Sequence, residues 1–150
     1  MTEEGVKLQR KDDQVSREDL LSVIGFGAAG GRNTELNNVL KDLESSVPEI
    51  EAAAVVSVEG LPIASVLPRD IEETRLAAMT AAMLSLGERV IEEMRKGQIE
   101  RVSVEGSEGK IISINAGPNA VLTVSTRRDA KLGLIHLEMG RTARKIADLL

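Results

Sequence analysis

Residues 69–96 read RDIEETRLAAMTAAMLSLGERVIEEMRK. Two apolar rows run through this stretch. Leu76, Met79, Met83, Leu86 and Val90 make the first; Ala77, Thr80, Leu84, Gly87, Ile91 and Met94 make the second. Both step by three and four, which predicts one long helix. At about 100° per residue the rows lie side by side and cover roughly half the cylinder. Arg75, Ser85, Glu88, Arg89, Glu92, Glu93 and Lys96 occupy the rest. A helix resting on one sheet needs one apolar row, so the other needs a further surface. Ala77, Thr80, Ala81 and Gly87 are small enough to allow close approach. Two arrangements satisfy the pattern. Either the helix is sunk in its own core, or one row faces a sheet and the other faces a second copy of the chain.

The flanks of this helix read as a sheet. Upstream, Asn33 or Thr34 caps a helix whose apolar face is Leu36, Val39, Leu40, Leu43 and Val47, stopped by Pro48. Strands follow over Ala52–Val58 and Leu61–Leu67, joined by a tight turn at Glu59-Gly60. Pro62 predicts an edge position for the second of these. Pro68 ends it, and Asp70 can cap the long helix. After Gly97 three more strands are predicted, over Ile99–Glu105, Lys110–Asn115 and Ala120–Thr126, with turns at 106–109 and 116–119. A last helix begins at Asp129 or Ala130, with Leu132, Ile135, Met139, Ile146 and Leu149 on one stripe. Arg141, Arg144 and Lys145 lie toward its C-terminal end, where the helix dipole favours cations. The order α-β-β-α-β-β-β-α, with hairpin connections, predicts an α+β fold: a five-stranded antiparallel sheet covered by three helices. Its edges need protection. The strand carrying Val102 and Val104 can pair with its own copy across a two-fold axis, in the same contact that covers the helix's spare row.

Composition narrows the function. The net charge is −5, with 19 basic and 24 acidic residues. Phosphate binding wants a basic face, so nucleic acid is not an expected partner. One Phe and no Tyr or Trp leave almost no platform for base stacking. The absence of Cys excludes disulfides, thiolate zinc sites and cysteine nucleophiles. It fits a reducing compartment. No apolar run approaches the roughly 20 residues of a membrane span. The charged N-terminus does not resemble a signal peptide. A cytoplasmic location is expected.

The first 33 residues read differently from the rest. Ten of the residues from Met1 to Asp19 are charged, with both signs mixed, the signature of a mobile tail. Ser16 and Asp19 resemble a capping box for a short helix, Arg17 to Ile24. Gly25-Phe26-Gly27-Ala28-Ala29-Gly30-Gly31 matches G-x-G-x-x-G, in which bare amides approach a pyrophosphate before a helix N-terminus. No βαβ unit surrounds it, and glycine and alanine also make plain linkers. The expected division is a tail and linker over 1–33 and a folded domain over 34–150.

Candidate chemistry is sparse. His136 is the only histidine. A metal site wants two or three such ligands, so a half-buried, hydrogen-bonded role is expected instead. Ser57 and Ser65 have no identifiable base. Glu72-Glu73 fits a helix start, and Glu92-Glu93 fits a polar face. Arg69, Arg75, Arg127, Arg128 and Arg141 could each neutralise charge on a transferred phosphate, but no finger is assigned among them. No catalytic, cofactor or metal-binding residue is assigned.

Several segments, taken in order, carry a family resemblance. They are Leu36-Asn37-Asn38-Val39-Leu40, Val47-Pro48-Glu49-Ile50, the run from Ala54 to Ser65 (AVVSVEGLPIAS), the long Ala/Met helix, and Leu132-Gly133-Leu134-Ile135. From Thr34 to Leu150 the chain resembles the roadblock family of dynein light chains and their bacterial and archaeal relatives. The resemblance implies a homodimer or heterodimer, joined into one continuous sheet through the long helices and the strand after them. The interface residues it points to are Leu76, Met79, Met83, Leu86, Val90, Val102 and Val104. It further implies a non-catalytic regulator or scaffold that binds a small Ras-like GTPase and modulates its nucleotide cycle. The alternatives are a structural adaptor of a motor or signalling assembly, or a nucleotide or small-ligand binder using Gly25–Gly31. The charged tail and Gly-rich segment depart from the short eukaryotic light chains, which counts against a motor role.

Overall fold

Along Ile50–Ser57 (β1) successive side chains bury on opposite sides of one sheet. Ala53 and Val55 enter one core, Ala54 and Val56 another. Ala120–Arg127 (β5) does the same, with Leu122 and Val124 on the first side and Val121 on the second. A strand covered on both faces reads as a continuous apolar run, and these two strands are the middle of the sheet. The computed structural model describes residues 29–150, with side chains from Asn33 onward. The remaining strands are Pro62–Val66 (β2), Val102–Gly106 (β3) and Gly109–Asn115 (β4). The helices are Ala29–Ser46 (α1), Glu73–Glu93 (α2) and Leu132–Leu149 (α3).

The sheet order is β2-β1-β5-β4-β3, and every neighbouring pair is antiparallel. The predicted α+β class, strand count and element order are those observed. The edges are β2, as Pro62 required, and β3. Helices α1 and α3 cover one face. Leu36, Leu40, Leu43, Ile135, Met139 and Ile146 meet Val55, Ile112, Leu122 and Val124 there. Among the described residues, helix α2 lies alone on the other face, where Ala77 and Leu84 meet Ala54, Val56 and Val121. Ser113 and Thr123 are buried on that same face and satisfy each other, Ser113 Oγ donating to Thr123 Oγ1 at 2.8 Å.

Turn chemistry places α2. Gly60 sits at φ +96°, and a Cβ there would come within 3.4 Å of Ala78 Cα. Small residues on α2 therefore let the β1–β2 turn seat against it. Ser65 on β2 donates a hydrogen bond to the Glu73 carboxylate at the helix start.

Several predicted boundaries move. Helix α1 begins at Ala29 rather than at an Asn33 or Thr34 cap, so Gly30 and Gly31 are helical. Glycine costs a helix only about 1 kcal/mol relative to alanine and does not forbid it. The expected short helix Arg17–Ile24 and residues 25–28 of the Gly-rich loop lie outside the described residues. Helix α2 starts at Glu73, not Arg69, and its N-cap is Glu72 without a side-chain cap. Residues 68–71 form a turn instead, Ile71 N–H donating to Pro68 O at 3.1 Å. The helix ends at Glu93, where Lys96 N–H returns to Ile91 O at 2.9 Å and Arg95 takes φ 56°. That is a Schellman-type end with arginine in the place glycine favours. Strand β3 begins at Val102 rather than Ile99. Helix α3 begins at Leu132, with Lys131 in the N-cap position and no side-chain cap, rather than at Asp129 or Ala130.

Candidate interaction surface

The two rows of α2 have opposite fates. Ala77, Thr80 and Leu84 of the second row are buried against the chain's own sheet. Gly87 belongs with them: a Cβ there would stand 2.8 Å from Val102 Cγ2 and 2.9 Å from Ile99 Cδ1. Its missing side chain is what lets β3 approach the helix. The small residues of this row serve the chain's own packing. Met94, placed in this row by spacing, is instead exposed at the helix C-cap and continues the outer row.

The first row points away from the core. Met79 is 51% exposed, Leu86 63% and Val90 52%. Leu76 and Met83 are half-buried along its inner border. A helix sunk in its own core is therefore excluded. Of the two strand residues assigned with this row, Val102 packs against the α2-side core, and Val104 is 45% exposed. Both belong to the sheet face that carries α2, since Val102 lies opposite Ser113 and Val104 opposite Ile111.

Beside α2 no described residue covers the sheet. A cleft of about 290 Å³ opens there, lined by Ala52, Leu67, Ile71, Leu76, Ile111 and Ser125 among others. Ile71 hangs over it from the turn that replaces the predicted first helical turn. Ile71, Ile111, Leu67 and Met94 thus extend the surface beyond the residues assigned from sequence. The signal for Ile111 was present: Ile112 is fully buried toward α1 and α3, so strand alternation sends Ile111 to the α2 face.

The polar candidates are dispersed. Arg75 pairs with Glu72, Arg127 with Asp129 and Arg141 with Glu138, all on the surface at 3.1–3.7 Å. No group of three His, Asp or Glu side chains suited to a metal occurs among the described residues. Ser57 Oγ accepts the Leu61 N–H at 3.0 Å, which is turn chemistry. His136 is half-buried, but its buried Nε2 has no hydrogen-bond partner, contrary to the expectation of a satisfied ring. Burial, aided by Arg101 and Lys110, holds its pKa below the ordinary value. Glu44 has a buried Oε2 without a partner, and burial pushes its carboxyl above the ordinary range. Both groups lie on α1 or α3, away from the α2 surface. No described helix is long and apolar enough to cross a membrane.

Comparison with known proteins agrees with this architecture. The Roadblock/LC7 domain family matches residues 36–126. The uncharacterised protein MJ1340 of Methanocaldococcus jannaschii is 35% identical over 111 residues, which cover 74% of this chain and 96% of that protein. A Roadblock/LC7 domain from Streptomyces avermitilis superposes with a TM-score of 0.70 at 23% identity, covering 75% of this chain and 94% of that one. The gliding protein MglB from Thermus thermophilus superposes with a TM-score of 0.70 at 16% identity, covering 79% of this chain and 90% of that one. At these identities the two superpositions show the shared fold.

Proposed function

The chain belongs to the Roadblock/LC7 family of non-catalytic scaffold proteins, and from that premise we propose that it is a homodimeric regulator that binds a small Ras-like GTPase and modulates its nucleotide cycle. The observation that carries the dimer is the half-covered sheet. Strands spaced about 4.8 Å apart make a five-stranded sheet roughly 24 Å across. A helix with its side chains is about 10–12 Å thick. Two helices therefore cover one face, as α1 and α3 do. Among the described residues the other face has α2 alone. The second helix it lacks comes from another molecule, and the partner's α2 has the apolar row to supply it. Leu76, Met79, Met83, Leu86 and Val90 then lie in the contact, flanked by Val102 and Val104 beside the free edge of β3. Exposed apolar patches of this kind mark association surfaces.

Family membership supports the GTPase role. No group of three His, Asp or Glu side chains suited to a metal occurs among the described residues. The proposed action on a GTPase is one of holding and ordering that protein's own groups. Two measurements test the proposal. Met83→Glu with Leu86→Glu should sediment as a monomer with unchanged circular dichroism; a variant that stays dimeric removes this interface. Affinity capture by the full chain from native lysate, in parallel with a GTP analogue and with GDP, should retain a small GTPase more strongly in one state. Equal absence in both states, with other proteins retained, would replace the regulator by a structural adaptor.

A further inference from the structure

The free edge of β3 is complementary to itself. Its sequence is Arg101-Val102-Ser103-Val104-Glu105, a valine on each side of a serine with opposite charges at the ends. We propose that two copies pair antiparallel through this edge with Ser103 on the two-fold axis, so that Arg101 of each copy meets the partner's Glu105. This rests on the homodimer proposed above and specifies the register in which the copies join.

The structure limits the possible registers. Residues directly opposite in an antiparallel ladder point to the same face. Val102 and Val104 lie on the α2 face, with Ser103 on the other, opposite Ile112. A two-fold axis perpendicular to the sheet must then pass through a residue, not between two. Centred on Val102, the ladder sets Glu100 against the partner's Val104 and Arg101 against its Ser103. Centred on Val104, it sets Val102 against the partner's Gly106 and Ser103 against its Glu105. Centred on Ser103, both valines meet valine on the α2 face and both charges meet their opposites on the α3 face. Of these three registers, only this one sets valine against valine and each charge against its opposite.

Backbone and charge both fit it. The β3–β4 turn has two residues and closes on Gly106 opposite Gly109. Such a turn closes on a hydrogen-bonded pair, so Gly106, Val104 and Val102 direct their backbone groups to β4. Ser103 and Glu105 alternate with them and direct theirs to the open edge, as does Arg101 in the residue before the strand. These are the residues that the Ser103-centred ladder pairs. Arg101 makes no ion pair among the described residues. Glu105 is largely exposed and holds Lys110 at 3.2 Å. In the dimer the Glu105 carboxylate lies between Lys110 of its own chain and the partner's Arg101. The valine pairs continue the apolar row of α2, and the charged pairs select a like copy. Like charges directly opposite on a sheet are destabilising.

Cross-linking in the full chain reads the register, and the absence of native cysteine makes each introduced thiol unambiguous. Directly opposed residues lie about 4.5–5.5 Å apart at Cα, within disulfide reach; a shift of two residues takes them beyond about 7 Å. Ser103→Cys should therefore give a covalent dimer under mild oxidation, while Val102→Cys and Val104→Cys should not. Charge exchange tests the pairing. Arg101→Glu alone and Glu105→Arg alone should each weaken the homodimer about tenfold or more. Mixed together they should form a heterodimer, and the double variant R101E/E105R should regain wild-type affinity. A dimer that cross-links at 102 or 104 instead, or single variants with no preference for each other, overturns the register and leaves the dimer standing. A wild-type chain that sediments only as a monomer overturns both.

Discussion

The two faces of this sheet are built from the same strands but from different materials. On the α1/α3 side the fully buried side chains include seven large ones, Leu36, Leu40, Ile112, Leu122, Ile135, Met139 and Ile146, beside smaller ones such as Ala53, Val55 and Ala120. On the α2 side the buried side chains are small or polar, Ala54, Val56, Ala77, Thr80, Ser113, Val121 and Thr123, with Leu84 the one large aliphatic among the described residues. The difference separates two jobs. The first face has volume to fill and two helices to fill it, so it supplies the folding free energy of the single chain. The second draws one helix close with small residues and keeps that helix's larger side chains for the outside. With the proposed dimer, stability and association sit on opposite sides of a layer one strand thick.

That division predicts a sharp asymmetry between truncations. Ile135→Ala, on the closed face, should cost about 2–5 kcal/mol in urea unfolding, because it opens a cavity in a fully packed core. A loss under about 1 kcal/mol would mean the closed face is not where stability resides. Leu86→Ala, on the open face, removes more than half-exposed apolar surface from the single chain. In dilute protein its unfolding free energy should stay within about 0.5 kcal/mol of wild type. Its dimer dissociation constant, by sedimentation equilibrium, should rise roughly tenfold or more, the cost of truncating a central interface side chain on both copies. If instead unfolding of the dilute chain moved and association did not, the assignment of the two faces would be reversed.

A smaller effect probes the inner row of α2. Thr80 is fully buried, and its hydroxyl has no hydrogen-bond partner. Valine has nearly the same shape and no polar atom to desolvate. Thr80→Val should stabilise the fold by about 1 kcal/mol in urea unfolding. A destabilised variant would mean that the hydroxyl is satisfied in solution, and that this face is less dry than its packing implies.

The double stripe on 69–96 makes much of this legible in the sequence alone. Period and spacing decide which α2 residues share a face, and the outcome for Ala77, Thr80, Leu84 and Gly87 against Met79, Leu86 and Val90 follows that partition. Spacing alone could not say which row met the chain's own sheet, because that depends on volume at the contact. Gly87 answers it, since β3 needs the space a side chain would take. Helix ends were less legible. Asp70 looks like a cap and Asp129 or Ala130 like a helix start, yet the chain turns at Pro68–Ile71 and starts α3 at Leu132. There tertiary packing of Ile71 over the cleft and Leu132 against the core overrides the local capping preference. Ile71 was missed for a related reason, since a residue in a turn leaves no periodic trace; Ile111 was readable from the strand alternation around Ile112.

The closed face is not perfectly closed, and pH reports where. Glu44 on α1 and His136 on α3 each bury a polar atom without a partner. Their linkages to folding have opposite signs. Burial raises the Glu44 pKa above its ordinary 4.5, so its stabilising contribution is complete below that value and is lost as pH rises through the higher folded value. Burial, Arg101 and Lys110 lower the His136 pKa below its ordinary 6.5, so its contribution is complete above that value and is lost as pH falls toward the lower folded one. Acid thus relieves one site and burdens the other. Glu44→Gln should raise the melting temperature by a few degrees at neutral pH and by nothing below the ordinary carboxyl range. His136→Gln should flatten the fall in stability from pH 6.5 downward and change little above it. Melting curves across that range, for wild type and both variants, separate the two. A Glu44→Gln gain that persisted in acid would assign the effect to packing rather than charge.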